Sequence, residues 1–309
     1  MEEKEFTFVV KEPSEVNLRI DKFITEKFSQ YSRSYFQYLI DTGNVLVNSK
    51  KVKRSYKLRL NDVVKVILVE KKSVVEPTHI PLKILYEDGQ IIVVDKPAGL
   101  ITHPAGKNKT CTLLNGLVYH FKMHNFVGEP KLVHRLDKET TGVLVVAKTE
   151  EAKSFLSQQF QKRNVKKKYL AIVYGKFAEK FGKINALIGK LPKSKKIWHT
   201  PSGREAITEY CVKQEFKYDN NYYSLLEISP LTGRTHQIRV HLSLIGHPVC
   251  GDTEYGKVWT KKNIAFPRVM LHAWKLKILH PQKKVWMEFV ADLPDDFTSV
   301  LSLLSSSFS

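Results

Sequence analysis

His134-Arg135-Leu136-Asp137-Lys138-Glu139-Thr140-Thr141-Gly142 runs directly into Val143-Leu144-Val145-Val146-Ala147. The second part is a short apolar run, rich in β-branched residues. Gly142 precedes it and Lys148-Thr149-Glu150 follows, so it reads as a buried core strand. The first part is a charged loop at the mouth of that strand, where a scaffold can hold a reactive group still. Asp137, flanked by Arg135 and Lys138, is the candidate. An aspartate in such a loop can equally be a turn residue or half of a surface ion pair.

Working outward, Ile91-Ile92-Val93-Val94 forms a second core strand after the turn Glu87-Asp88-Gly89-Gln90. It ends in Asp95-Lys96-Pro97-Ala98-Gly99-Leu100, a stiff loop. Thr112 starts a helix with Leu113, Leu114, Leu117, Val118 and Phe121 inside. Thr149 caps another, with Ala152, Phe155, Leu156 and Phe160 on one stripe. This helix ends in Gln161-Lys162-Arg163, and Lys166-Lys167-Lys168 follows it before a strand from Tyr169 to Tyr174. Residues 190–205, with Lys190, Lys193, Lys195, Lys196, Trp198, His199 and Arg204, read as an exposed excursion. Ala206 to Phe216 and Tyr222 to Ile228 read as paired strands. Arg234, His236, Gln237, Arg239 and His241 then crowd into the opening of a helix that stops at Gly246. A helix N-terminus behind Thr232-Gly233-Arg234 is a fair anion site. His272 to Leu279 and Lys284 to Ala291 close the chain as a hairpin-like pair, and Ser305-Ser306-Ser307 are expected to fray.

Towards the N-terminus, a short acidic lead precedes Arg19 to Phe28, where Ile20, Phe23, Ile24 and Phe28 recur at helical spacing. Ser32 can cap a second helix, which Gly43 stops. Val45-Leu46-Val47 and Lys51-Val52-Lys53 flank a hairpin turn, and Lys57 to Ile67 continues as strand. Cations lie between the apolar positions (Arg19, Lys22, Arg33, Lys50, Lys51, Lys53, Arg54, Lys57 and Arg59) and suggest a face that tracks phosphates. Residues 69–83 carry charges and two prolines without a period. The organisation expected is a first domain over 16–75, a linker at 76–83 and a second domain over 84–300.

The chain has 309 residues, enough for two cores, with 42% hydrophobic and 11% aromatic content. Lys and Arg number 50 against 31 Asp and Glu, a net charge of +19. An excess of that size favours a polyanion, through release of condensed counterions. Cys111, Cys211 and Cys250 are odd in number and form no CxxC pair, which argues against disulfides or structural zinc. The start is acidic where a leader peptide is basic, and no apolar run approaches the ~20 residues of a membrane span. A soluble, cytoplasmic protein is expected. GxSxG, P-loop and HExxH motifs are absent. His236 and His241, five apart on a helix, do not share a face as metal ligands do. A carboxylate, cations and a tyrosine remain.

Two resemblances join these pieces. Arg19-Ile20-Asp21, Ser32-Arg33-Ser34, Gly43-Asn44-Val45-Leu46-Val47-Asn48 and Asn61-Asp62-Val63-Val64 resemble the S-four RNA-binding domain. His134-Arg135-Leu136-Asp137-Lys138, Thr140-Thr141-Gly142, Asp95-Lys96-Pro97-Ala98-Gly99, Lys168-Tyr169-Leu170-Ala171 and Gly233-Arg234-Thr235-His236-Gln237-Ile238-Arg239-Val240-His241 resemble the RluA family of pseudouridine synthases. So do Gly246-His247-Pro248-Val249, Gly251-Asp252 and Tyr255-Gly256. Thr141 stands where Ser is common in the family, and the hydroxyl is retained. The resemblance implies an α+β fold: a small RNA-binding domain, then a catalytic domain with a mainly antiparallel mixed sheet and flanking helices. It implies isomerisation of uridine to pseudouridine in RNA, without metal or cofactor. Asp137 would be the essential aspartate, by attack on the sugar, attack on the base or a glycal route. Arg239 would pair with it, Tyr169 would pack on the flipped base, and Arg135 would fill the gap left in the RNA stack. Arg19, Arg33, Lys51, Arg54, Arg234 and His236 are the further RNA contacts expected. A monomer acting on large-subunit ribosomal RNA is the first expectation. Transfer RNA, or a non-catalytic RNA-binding protein of the same fold, are the rivals.

Overall fold

The computed structural model describes residues 4–28, 31, 33–69, 75–104, 110–191, 196–256 and 264–306. The chain divides into two compact units between Val74 and Val75.

The first unit contains β1 (Lys4–Val9), α1 (Ile20–Lys27), α2 (Arg33–Asp41), β2 (Val45–Val47), β3 (Lys50–Lys51) and β4 (Val63–Leu68). The strands form an antiparallel sheet in the order β1-β4-β2-β3. Ile20, Phe23 and Ile24 of α1 and Phe36, Leu39 and Ile40 of α2 bury their stripes against Val45, Val47, Val64 and Val66 of the sheet. The cap at Ser32 lies outside the described residues. Gly43 ends α2 as expected, with φ +80° and its N–H donating to the Ile40 carbonyl at 3.2 Å.

Three readings change here. The acidic lead contains β1, whose Phe6 and Phe8 meet Phe28 edge-on at 5.0 and 5.6 Å. The hairpin turn is Asn48-Ser49, both at positive φ, so the strand resumes at Lys50. The strand expected from Lys57 begins only at Val63, because the Asp62 carboxylate accepts the Arg59 N–H at 2.8 Å and holds a turn through Asn61.

The second unit carries β5 (Lys83–Glu87), β6 (Ile91–Lys96), α3 (Leu113–Met123), β7 (Lys131–Leu132), β8 (Thr141–Ala147), α4 (Glu150–Gln161) and β9 (Lys166–Tyr174). Then follow β10 (Phe181–Lys190), β11 (Ile197–His199), β12 (Arg204–Tyr218), β13 (Asn221–Pro230), α5 (Gln237–Leu244), β14 (Leu271–Leu279), β15 (Trp286–Val290) and α6 (Asp295–Ser305). The sheet runs β11-β10-β12-β13-β9-β14-β8-β6-β5, with β15 on β14 and β7 on β8. Among the described strands every pairing is antiparallel except β8 with β14. This is the mixed, mainly antiparallel sheet that the resemblance implies.

All seven residues of β8 are buried because helices cover both faces. Leu144 and Val146, with Ile92 and Val94, pack under Leu113, Leu117 and Phe121 of α3. Val143 and Val145, with Ile91 and Val93, pack under Ala152 and Leu156 of α4. Each such aliphatic side chain contributes about 1.5–3 kcal/mol of burial.

The stretch 76–83, read as linker, lies within this unit. Thr78 N–H donates to the Asn115 carbonyl at 3.2 Å, Asn115 Nδ2 donates to the Glu76 carbonyl at 2.8 Å, and Lys83 already begins β5. Lys166–Lys168 belong to β9 and do not trail a helix. The excursion at 190–205 contains β11, which pairs antiparallel with the end of β10, and Trp198 stacks on Tyr255 at 5.8 Å. Lys193 and Lys195 lie outside the described residues. α6 was not foreseen. Its Phe297, Val300 and Leu304 join the core cluster that holds residues of β9, β12 and β13, and Ser305, expected to fray, is its last residue.

Candidate active site

The loop between β7 and β8 is clamped on both sides of Asp137. Leu136 is buried, and its backbone N–H and C=O both bond Thr102 Oγ1, at 3.3 and 2.7 Å. Lys96 is fully buried and donates through Nζ to the carbonyls of Pro97 (2.7 Å), Leu100 (2.9 Å) and Lys138 (3.1 Å). Burial lowers the Lys96 pKa to about 8, against the charges of Glu139 and Asp137, which hold it up. Arg268 Nη1 reaches the Glu139 carbonyl at 3.4 Å and is itself gripped by Asp296 of α6 at 2.6 and 2.8 Å. His134 Nε2 accepts the Val145 N–H at 3.0 Å while its ring stacks on Phe160 at 4.7 Å. Burial first, then Lys167, lowers the His134 pKa to about 3, so this ring is neutral.

Gly142 explains how the loop reaches the sheet. Its φ is +110°, and a Cβ there would stand 2.2 Å from the Ala273 carbonyl oxygen of β14. The two backbones meet where β8 and β14 pair, and Thr141 Oγ1 bonds His272 Nδ1 at 2.8 Å across the seam.

The opposite wall comes from the turn into α5. Arg239 is buried, and its Nε and Nη2 grip Asp252 at 2.6 and 2.9 Å. Nη2 also donates to Glu254 at 3.3 Å, and Nη1 faces Asp137 Oδ2 at 3.8 Å. Burial works against this cation, but Asp252, Asp137 and Glu254 outweigh it and raise its pKa. His236 Nε2 faces the other oxygen of Asp137 at 3.9 Å, and its Nδ1 bonds the Tyr255 hydroxyl at 2.8 Å. Tyr169, on β9, has its pKa raised by burial and then by the Asp137 charge, so its phenol stays protonated.

Asp137, Tyr169, His236 and Arg239 line one cleft of about 500 Å³, together with Arg135, Arg163, Lys167, Thr232 and Arg234. The structure therefore brings Asp137, Tyr169, Arg239, Arg135, Arg234 and His236 together. Arg135 is exposed, and Arg234 Nε is tied to the Glu205 carbonyl at 3.0 Å. In the first unit, Arg19 and Arg33 converge on the buried carboxylate of Asp21, each through two hydrogen bonds of 3.1 Å. Their side chains stay half exposed. Arg54 pairs with Asp41, and Lys51 is exposed on the edge strand β3.

Sequence reasoning placed Lys96 and Lys167 only within a motif and a basic run and gave neither them nor Thr102 a partner; it missed Arg268. Lys167 donates to the Thr232 carbonyl at 3.0 Å, and burial lowers its pKa to about 8. Asp252 and Tyr255 were quoted only for resemblance. Their signal was a pair of polar residues trailing the helix that carries Arg239, which gives no partner.

A basic unit of sheet and two helices, and a second unit with a clamped carboxylate in a cation-lined cleft, suit an enzyme that acts on a polyanion. The family model for RNA pseudouridylate synthase matches residues 90–244, and that for the S4 (S-four) domain matches residues 18–64. An uncharacterized RNA pseudouridine synthase of Aquifex aeolicus is 40% identical over 301 residues, 93% of each chain. Ribosomal large subunit pseudouridine synthase D of Nitrosomonas europaea is 40% identical over 93% of this chain and 84% of its own. The structure of human RNA pseudouridylate synthase domain containing 4 has a TM-score of 0.58 at 27% identity, covering 72% of this chain and 93% of that one. The chain belongs to the RNA pseudouridine synthase family: it is an isomerase that carries an S-four domain.

Proposed function

We propose that the enzyme isomerises specific uridines of large-subunit ribosomal RNA, with Asp137 as the reacting carboxylate. One observation carries the reading. Asp137 sits in a loop pinned by Thr102, Lys96 and Arg268, and its two oxygens face Arg239 and His236 at 3.8 and 3.9 Å. A surface turn residue has no such frame. Relatives named for the large ribosomal subunit support the choice of RNA.

The target nucleotide leaves its stack at a cost of a few kcal/mol. Arg135, exposed at the rim, fills the gap; Tyr169 packs on the base; Arg239, fixed by Asp252, orients the carboxylate. Arg234 contacts the RNA backbone at the cleft, and Arg19, Arg33, Lys51 and Arg54 contact it on the S-four unit. The enzyme works as a cytoplasmic monomer without metal or cofactor.

The test is tritium release from large-subunit RNA labelled at uracil C5, the carbon that becomes glycosidic. Wild type releases tritium and Asp137→Asn does not. Equal release by the two removes Asp137 from its role. Release from transfer RNA alone overturns the choice of substrate.

A further inference from the structure

We infer that His236 is a further catalytic residue, donating a hydrogen bond through Nε2 to the uracil ring once that ring has left its ribose. The inference rests on the reading of Asp137 above and adds to it a second group that touches the reacting nucleotide.

The backbone gives the first reason. His236 is the N-cap of α5, at φ +54° and ψ +20°, and its side chain makes no capping bond. N-caps are normally extended and hold Ser, Thr, Asp or Asn, whose oxygen takes an N–H of the first turn. The left-handed region is strained for a non-glycine residue. The surroundings impose it. Gln237 is buried next door, with Oε1 accepting from Thr232 Oγ1 (2.6 Å) and Arg234 N (3.0 Å) and Nε2 donating to Ile207 O and Thr208 Oγ1 (both 2.9 Å). What the strained residue gains is an imidazole aimed into the cleft and away from the helix end.

The ring is also held from behind. Tyr255 lies between Trp198, stacked at 5.8 Å and 16°, and the Arg239 guanidinium, 4.9 Å from its ring centre. Burial and the Glu254 charge keep its phenol protonated. Its hydroxyl shares a hydrogen bond with His236 Nδ1 at 2.8 Å; where the phenol is the donor, the neutral ring carries its proton on Nε2. An imidazolium carries a proton there too. The charged groups facing this ring are Asp137 at 3.9 Å, Glu254 at 3.6 Å and, through Tyr255, Arg239. At 3.9 Å, Nε2 is beyond hydrogen-bond reach of Asp137. Two of Arg239's nitrogens are already bound by Asp252 and Glu254, so His236 supplies a separate donor on the Oδ1 side of the carboxylate.

The chemistry calls for such a donor. When the C1′–N1 bond breaks, its electron pair stays on uracil, and the negative charge spreads over N1, O2 and O4. The ring turns, the C1′–C5 bond forms from its π electrons, the C5 proton leaves and N1 takes one up. Oxidation level does not change and no co-reactant is needed. A fixed donor meeting the anion, and not the stacked neutral base, lowers the barrier selectively.

The experiment is single-turnover tritium release from C5-labelled large-subunit RNA at saturating enzyme, with RNA affinity measured separately. Removing one such donor costs about 10²–10³ in rate, so His236→Ala should slow the reaction by that factor while affinity stays within about threefold. His236→Gln places an amide N–H near the position of Nε2–H and should recover at least about tenfold over the Ala variant. Release by His236→Ala at the wild-type rate overturns the inference. So does a Gln variant as slow as Ala when both melt like wild type. If the Ala variant does not fold, His236→Phe, which keeps a ring and has no donor, takes its place and is read by the same two criteria. Activity in Asp137→Asn, run alongside, would count against the reading of Asp137 and not against the donor.

Discussion

Replacing Lys96 by Met tests whether a buried cation holds the Asp137 loop. Met keeps the apolar stem and removes the ammonium. The three carbonyls of Pro97, Leu100 and Lys138 lose their charged donor. Hydrogen bonds to a charged group contribute about 1.5–3 kcal/mol each, so the loss is on the order of 6 kcal/mol. Against it stands the cost of burying the charge. The pKa is lowered from 10.5 to about 8 by burial, a cost on the order of 3 kcal/mol. Lys96→Met should therefore destabilise the fold by about 2–3 kcal/mol at neutral pH. The folded amine gives up its proton near pH 8 and the unfolded one near 10.5. Between these the unfolded chain holds more protons, so wild-type stability gains from this group as pH rises. The burial penalty acts fully below about pH 8 and is gone above 10.5. The deficit of Lys96→Met should then widen by up to about 3 kcal/mol between pH 7.5 and 10. Urea unfolding of both proteins at the two pH values measures this. A variant as stable as wild type, or a deficit that stays constant with pH, refutes the reasoning. Single-turnover release at 25 °C should also fall at least about tenfold, because a 1 Å misplacement of a reacting group costs that much or more.

Asp252→Asn leaves buried Arg239 without its charge partner, and breaking such a pair costs about 3–5 kcal/mol; chemical denaturation should show that loss, and tritium release should fall by more than tenfold as Arg239 swings towards Asp137 or Glu254. Gly142→Ala drives a methyl group into the Ala273 carbonyl at the β8–β14 seam. It should yield insoluble or strongly destabilised protein, whereas Gly89→Ala, with nothing within 4 Å of its added Cβ, should melt within about 0.5 kcal/mol of wild type.

How much of this was legible depended on whether the cause is local. β8 was readable because an uninterrupted apolar run has one explanation, a strand covered on both faces. The capping Thr149 and the stop at Gly43 are short-range chemistry and were equally readable. Lys96 was not. In sequence it is one of many lysines, and only the fold brings three carbonyls around its ammonium. Arg268 was hidden for the same reason, since its partner Asp296 sits on α6, a helix whose apolar positions follow an acidic turn and were passed over. β1 was lost because Lys4 and Glu5 outweighed the alternation of Phe6, Phe8 and Val10.

The position of the site follows from the one parallel pairing. β14 runs beside β8 for only two residue pairs, His272 with Thr141 and Ala273 with Gly142. β15 then takes over as its neighbour from Lys275 onward. The fork opens beyond Gly142 and Ala273, and the chain enters β8 from the other side of this pairing, at Thr141, as a loop. That loop carries Asp137. β9, pairing the other edge of β14, brings Tyr169 and Lys167. β13 beside β9 leads through Thr232 into α5, which brings His236 and Arg239. The fixed groups thus come from three places: the loop into β8, the start of β9 and the turn into α5. The carboxylate is held by backbone contacts that do not need its charge, which leaves both its oxygens available for the substrate.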